Sequence, residues 1–157
     1  DNNSKKIGTI SQAVNVPDVK EDEMALSGIL LENFTVDQWK ALQNNTLKSS
    51  ASKMQQDTAT RQFKKGTVLT FNYVVYVFPQ MKNIKLANLN AQMILWKDGK
   101  EVFRGASEKI NITEKFAIQR QTQPGAFMLG TDMSAGNYTL QIIVGEQKQT
   151  INFELVD

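Results

Sequence analysis

The chain has 157 residues, 18 basic and 16 acidic side chains, a net charge of +2, and neither cysteine nor histidine. Those absences remove disulfides, thiolate nucleophiles, Ser-His-Asp and Cys-His catalysis and the usual zinc sites, leaving carboxylates, lysine and tyrosine for any proton transfer. The lysines are scattered, with isolated doublets at Lys5-Lys6 and Lys64-Lys65, so no nucleic-acid footprint is drawn, and no apolar run approaches the roughly 18 residues of a membrane-spanning helix.

Residues 1–8 are polar and read as a frayed lead-in. The chain starts at Asp1, which reads as a processed or excised piece. Residues 9–16 alternate loosely, with Ile10, Val14 and Val16 on one side, until Pro17 ends the run. Residues 24–31 form a buried-type strand in which Gly28 signals a bulge or a close backbone approach.

Residues 32–60 break this rhythm and read as one insertion. Thr35 and Gln38 have the spacing of a capping box, and Val36, Trp39, Ala41 and Leu42 follow with helical spacing, predicting a short helix over 36–43. The stretch after it, 44–60, is rich in Ser, Thr, Asn and Gln and predicts a mobile loop.

From Gly66 the pattern is that of strands. Residues 68–78 put Leu69, Phe71, Tyr73, Val75 and Val77 on one face. Residues 89–95 turn Leu89, Ala91, Met93 and Leu95 inward and Asn90 and Gln92 outward. Asp98-Gly99 supplies the positive φ of a hairpin turn, and 101–104 returns. A weaker strand is expected at 116–120, a turn at Pro124-Gly125, and a short strand at 126–129. Residues 137–144 align Tyr138, Leu140, Ile142 and Val144. After a turn at 145–148, Ile151, Phe153 and Leu155 face inward from the last strand.

Eight or nine short strands with turn signals and almost no helix predict an all-β, immunoglobulin-like two-sheet sandwich over residues 9–157. Tyr138, just after Gly136 at the start of the penultimate strand, occupies the place of a tyrosine corner. Without cysteines the domain is not of the antibody type.

Several stretches recur together in a known group. They are Val16-Pro17-Asp18, Met24-Ala25-Leu26-Ser27-Gly28-Ile29, Arg61-Gln62-Phe63-Lys64-Lys65-Gly66, Leu95-Trp96-Lys97-Asp98-Gly99-Lys100-Glu101-Val102-Phe103, Leu129-Gly130-Thr131-Asp132 and Gly136-Asn137-Tyr138-Thr139-Leu140. In this order they cover most of the chain, which resembles the carboxy-terminal region of bacterial, acidobacterial-type von Willebrand factor A-related proteins. The resemblance implies an accessory β domain of an exported protein whose amino-terminal domain carries an Asp-x-Ser-x-Ser adhesion motif. That motif is not in this chain, so no metal or ligand residue carries over. The loop at 44–60 departs from the pattern.

Three kinds of chemistry remain to weigh. Asp18, Glu21, Asp22 and Glu23 are carboxylates that calcium accepts, but they lack EF-hand spacing and read as a solvated turn. A carboxylate-pair hydrolase needs two acids framed across a cleft, and nothing in the sequence frames them. Trp39, Tyr76 and Trp96 are candidates for an aromatic binding platform, with packing the commoner fate of such rings. The sequons at Asn2, Asn33, Asn44, Asn111 and Asn137 matter only in a eukaryotic secretory pathway.

The expectation is a non-catalytic interaction or structural module of a larger exported bacterial protein, periplasmic or secreted. It uses no cofactor and no metal. Its partner is another protein or a neighbouring domain of the same polypeptide, not nucleic acid or a membrane interior. The alternative is a carbohydrate-binding module using exposed aromatics.

Overall fold

The computed structural model describes residues 24–44, 60–77, 89–110 and 119–157. The lead-in at 1–8, the alternating segment 9–16, Pro17, the acidic group Asp18 to Glu23, the loop 45–59, Phe78 and positions 116–118 lie outside the described residues.

Ten strands and one helix are described. They are β1 (Ala25–Leu26), β2 (Leu30–Phe34), α1 (Val36–Gln43), β3 (Gln62–Lys64), β4 (Thr67–Val77), β5 (Asn90–Lys97), β6 (Lys100–Arg104), β7 (Glu108–Lys109), β8 (Gln119–Leu129), β9 (Gly136–Val144) and β10 (Gln147–Val156). They form the expected all-β sandwich of two sheets.

In the first sheet β8 runs antiparallel along the whole of β4, so β1 and β2 share the opposite side of β4, end to end. The second sheet runs β3, β10, β9, β5, and then β6 and β7 along the last edge. All its neighbours are antiparallel except β3, which pairs parallel to β10.

The break between β1 and β2 is a bulge. Leu26 opposes Val75 and Leu30 opposes Asn72, so three residues on one strand face two on the other. The extra residue reverses the phase: Met24 and Leu26 are buried before it, Ile29 and Leu31 after it. Ser27 splices the gap, its amide donating to the Val74 carbonyl at 2.9 Å and its Oγ accepting from the Val74 amide at 2.8 Å. A Cβ at Gly28 would meet nothing within 4 Å, so the glycine marks the bulge and not a close packing contact.

The core lies between the sheets. Leu31, Leu69, Phe71, Tyr73, Val75, Val77 and Leu129 come from one side; Phe63, Leu95, Tyr138, Leu140, Ile142, Val144, Phe153 and Leu155 from the other. Each such side chain fully withdrawn from water contributes about 1.5–3 kcal/mol, set against the cost of ordering it. The alternation expected for 137–144 is the observed one. In β4 Leu69, Phe71, Tyr73, Val75 and Val77 are buried as expected, but Val68 and Thr70 on the other face are buried too. In β5 Leu89 and Leu95 are buried, but Gln92 is as half-buried as Ala91 and Met93, and Ile94 in the opposite phase is buried.

One expectation is overturned. Pro124-Gly125 is not a turn; β8 passes straight through it, pairing Pro124 with Asn72 and Gly125 with Phe71. Proline is tolerated because β8 borders only β4, on one side, leaving its other edge unpaired among the described residues. Glycine is required because a Cβ there would lie 2.0 Å from Phe71 Cζ, within the space the ring fills. Two residues chosen for edge and packing reasons mimic a turn signal.

The helix matches its expected span. Gln38 N–H donates to Thr35 Oγ1 at 3.2 Å, and the Thr35 amide donates to Gln38 Oε1 at 2.9 Å. β2 extends to Phe34, so the departure from the sheet begins at Thr35 and not at residue 32. The hairpins also follow the sequence. Asp98 and Gly99 both have positive φ, 50° and 74°, and Gly145 has φ 56° at the first position of a two-residue turn joining Val144 to Gln147.

Candidate functional site

A cleft runs along one side of the sandwich, between the β8 edge of the first sheet and the β6–β7 edge of the second. It has two connected parts, of about 210 and 560 Å³, and Phe103 and Phe127 line both.

Its cause is a mismatch of widths. Among the described residues the first sheet is three strands across and the second five. Phe103 opposes Leu95, whose side chain points into the core, so Phe103 also faces inward, yet it is 51% exposed. No strand of the first sheet lies beyond β8 among the described residues to cover it. The ladder between β5 and β6 slips between Leu95 and Trp96, leaving Val102 unopposed and 51% exposed. Met128, at the rim on β8, is 57% exposed.

Polar groups border both parts of the cleft. Glu108, Gln92 and Gln123 line one part, with Tyr73 beneath. Burial, and secondarily the charge of Glu108, push the Tyr73 hydroxyl up to about 12. Asp132, Lys97 and Ser134 line the other part. Lys97 Nζ donates to the Ala135 carbonyl at 2.8 Å, to the Ser134 carbonyl at 3.2 Å and to Ser134 Oγ. That ammonium is therefore engaged in holding the loop before β9. The two carboxylates, Glu108 and Asp132, line different parts, so the cleft does not frame an acid pair.

A second concavity, open and about 640 Å³, lies on the outer face of the first sheet beside α1. Glu32, Phe34, Trp39, Leu42, Gln43, Thr70, Asn72 and Pro124 border it. The Phe34 and Trp39 rings are 6.4 Å apart, tilted by 42°.

The three aromatics singled out in the sequence do not converge. Trp39 reaches this outer concavity. Tyr76 opposes Arg120, whose guanidinium lies 5.9 Å from the ring centroid. Trp96 projects from the outer face of the other sheet, where its Nε1–H donates to Gln141 Oε1 at 3.3 Å. Phe34 and Phe103 were missed. Phe103 reads as one residue of a hairpin return, and only the width of the opposing sheet exposes it. β3 was missed as well, since a three-residue strand around Phe63 has no periodicity to detect. Asn33 is buried, which excludes that sequon from modification in the folded chain. Among the described residues no cluster of three His, Cys, Asp or Glu forms a metal site, and no helix is long and apolar enough to cross a membrane.

No protein-family model matches the chain, and no curated protein does. Among solved structures the chain is similar to an immunoglobulin-like protein from Pseudomonas aeruginosa, with 14% identity, 87% of this chain and 98% of that chain covered, and a TM-score of 0.47.

Proposed function

We propose that the chain is a non-catalytic interaction module that receives an extended segment of a partner protein in the cleft between β8 and β6. The observation that carries this is Phe103: a side chain turned toward the interior and left half in water. An extended peptide beside β8 completes the narrower sheet. It supplies apolar side chains at alternate positions to cover Phe103, Phe127 and Met133, and backbone groups to pair with the β8 edge. Pro124 lacks an amide hydrogen and blunts the middle of that edge, a common protection against indiscriminate strand pairing. Backbone pairing then falls on the part of β8 beyond it, toward Leu129, beside the larger part of the cleft.

The role within a larger exported protein, periplasmic or secreted, that the von Willebrand factor A-related resemblance implies belongs to the same proposal. Sequencing the coding region upstream of Asp1 tests it, and a start codon directly before residue 1 with no export signal counts against it. The alternative, carbohydrate binding by a platform of Trp39, Tyr76 and Trp96, is not favoured because Trp96 stands on the other sheet and Tyr76 does not border the concavity that Trp39 reaches.

The test of the cleft is selection from a displayed library of random decapeptides. The expected result is enrichment of peptides with apolar residues at i and i+2. Their binding should be lost on Phe103→Asp and unchanged on Leu30→Asp, which alters an equally exposed side chain on the outer face of β2. Failure to enrich, or equal sensitivity to both substitutions, defeats the proposal.

A further inference from the structure

The concavity on the outer face of the first sheet has a composition different from the cleft. Two aromatic rings, Phe34 and Trp39, form part of its wall. Glu32 is its one acidic residue, and no lysine or arginine borders it among the described residues. The two ion pairs among those residues are Lys65 with Asp157 and Arg104 with Glu101, so Glu32 is in neither. Asn72, Thr70 and Gln43 are the remaining polar groups. The strand register fixes this arrangement. Glu32 opposes Thr70 and Leu30 opposes Asn72, which puts Glu32, Phe34, Thr70 and Asn72 on one face, while the capping box at Thr35 folds α1 back over it and delivers Trp39.

A carboxylate with no ion-pair partner among the described residues, in a concavity that two aromatic rings also line, attracts positive charge, and the rings favour a weakly hydrated organic cation over a compact hydrated metal ion. A single carboxylate also provides too few oxygen ligands for calcium. The 640 Å³ volume falls in the range of small-molecule sites. We infer that this outer concavity binds a compact alkylammonium cation, with Glu32 as the counter-charge and Trp39 and Phe34 as the π walls. The site shares Pro124, Gly125 and Ala126 with one part of the cleft, but Glu32, Phe34 and Trp39 do not border the cleft, and the inference does not depend on the peptide-binding proposal.

The experiment uses the full chain carrying Trp96→Phe, so that Trp39 alone reports by fluorescence. Three titrants are compared: choline, its uncharged isostere 3,3-dimethylbutan-1-ol, and cellobiose. The expected result is a saturable change with choline alone. It should weaken about tenfold on Glu32→Gln, and also weaken with added salt. Thermal unfolding of each variant shows that the fold is kept, and proton-detected NMR shifts of the Trp39 indole on the unsubstituted chain replace fluorescence if Trp96→Phe does not fold. Equal response to choline and the isostere overturns the inference, as does saturation by cellobiose without choline, or no saturable change at all.

Discussion

The Tyr138 hydroxyl donates a 2.7 Å hydrogen bond to the Ser134 carbonyl, four residues earlier, from a ring that is itself buried. The ring stacks on Phe153 with centroids 5.5 Å apart and planes 13° off parallel, and Lys97 Nζ stands 5.3 Å from its centroid. The loop entering β9 is thus held by a tyrosine corner from within and by a lysine from the adjacent strand.

Removing the hydroxyl tests that corner. Tyr138→Phe keeps the stacking and loses the bond, so stability should fall by about 1 kcal/mol, read as a lower denaturant midpoint at unchanged slope. Lys97 also donates to the Ser134 carbonyl, which keeps the loss from being larger. An unchanged midpoint means that the hydroxyl bond adds nothing to stability.

Two glycines should behave in opposite ways. Gly125→Ala forces a Cβ into the Phe71 ring and should cost about 1–3 kcal/mol, as overpacking does. Adding Phe71→Leu in the same chain should recover part of that loss, because the two changes share one volume. Gly28→Ala meets open space and should be neutral or stabilising by up to about 1 kcal/mol through the unfolded chain. Equal losses at both positions contradict the packing described for β8.

Tyr73 supplies a pH prediction. Its proton is held up to about 12, against the ordinary value of 10.0. The folded form therefore keeps a proton that the unfolded form has released above pH 10. The contribution is present below pH 10 and is lost as pH rises toward 12. Absorbance titration of tyrosinate should show one ring ionising late, and Tyr73→Phe should abolish that late step. A late step that survives Tyr73→Phe assigns it to another ring.

The exposed pairs predict a smaller effect at the acid end. Hydrogen bonding to Arg104 holds the Glu101 carboxyl below its ordinary value, and Lys65 does the same for Asp157. Stability gained from these pairs is present above the ordinary carboxylate range and is lost as pH falls through the lowered values. Both pairs are exposed, so 1 M salt should erase most of their share of the acid slope. An acid slope indifferent to salt assigns it to other groups.

Much of the fold was legible because its signals are local. Period-two burial in β9 and in the second half of β4, the Asp98-Gly99 and Gly145 turns, the Thr35–Gln38 box and the Gly28 bulge each depend on a few adjacent residues. The corner was legible because glycine, then tyrosine, then alternating apolar residues describe one loop and the strand it feeds. Pro124-Gly125 misled because the same dipeptide serves a turn or an unpaired edge, and only the neighbour at Phe71 decides between them. The composition determined what chemistry was missing; it did not locate a surface. Which sheet is narrower and which inward-facing phenylalanine is left half in water depend on the pairings of β4 with β2 and β8 and of β5 with β9, between residues 34 to 62 positions apart. Such contacts arise only when the sheets close on each other, so tertiary structure alone placed the cleft at Phe103 and the concavity at Glu32.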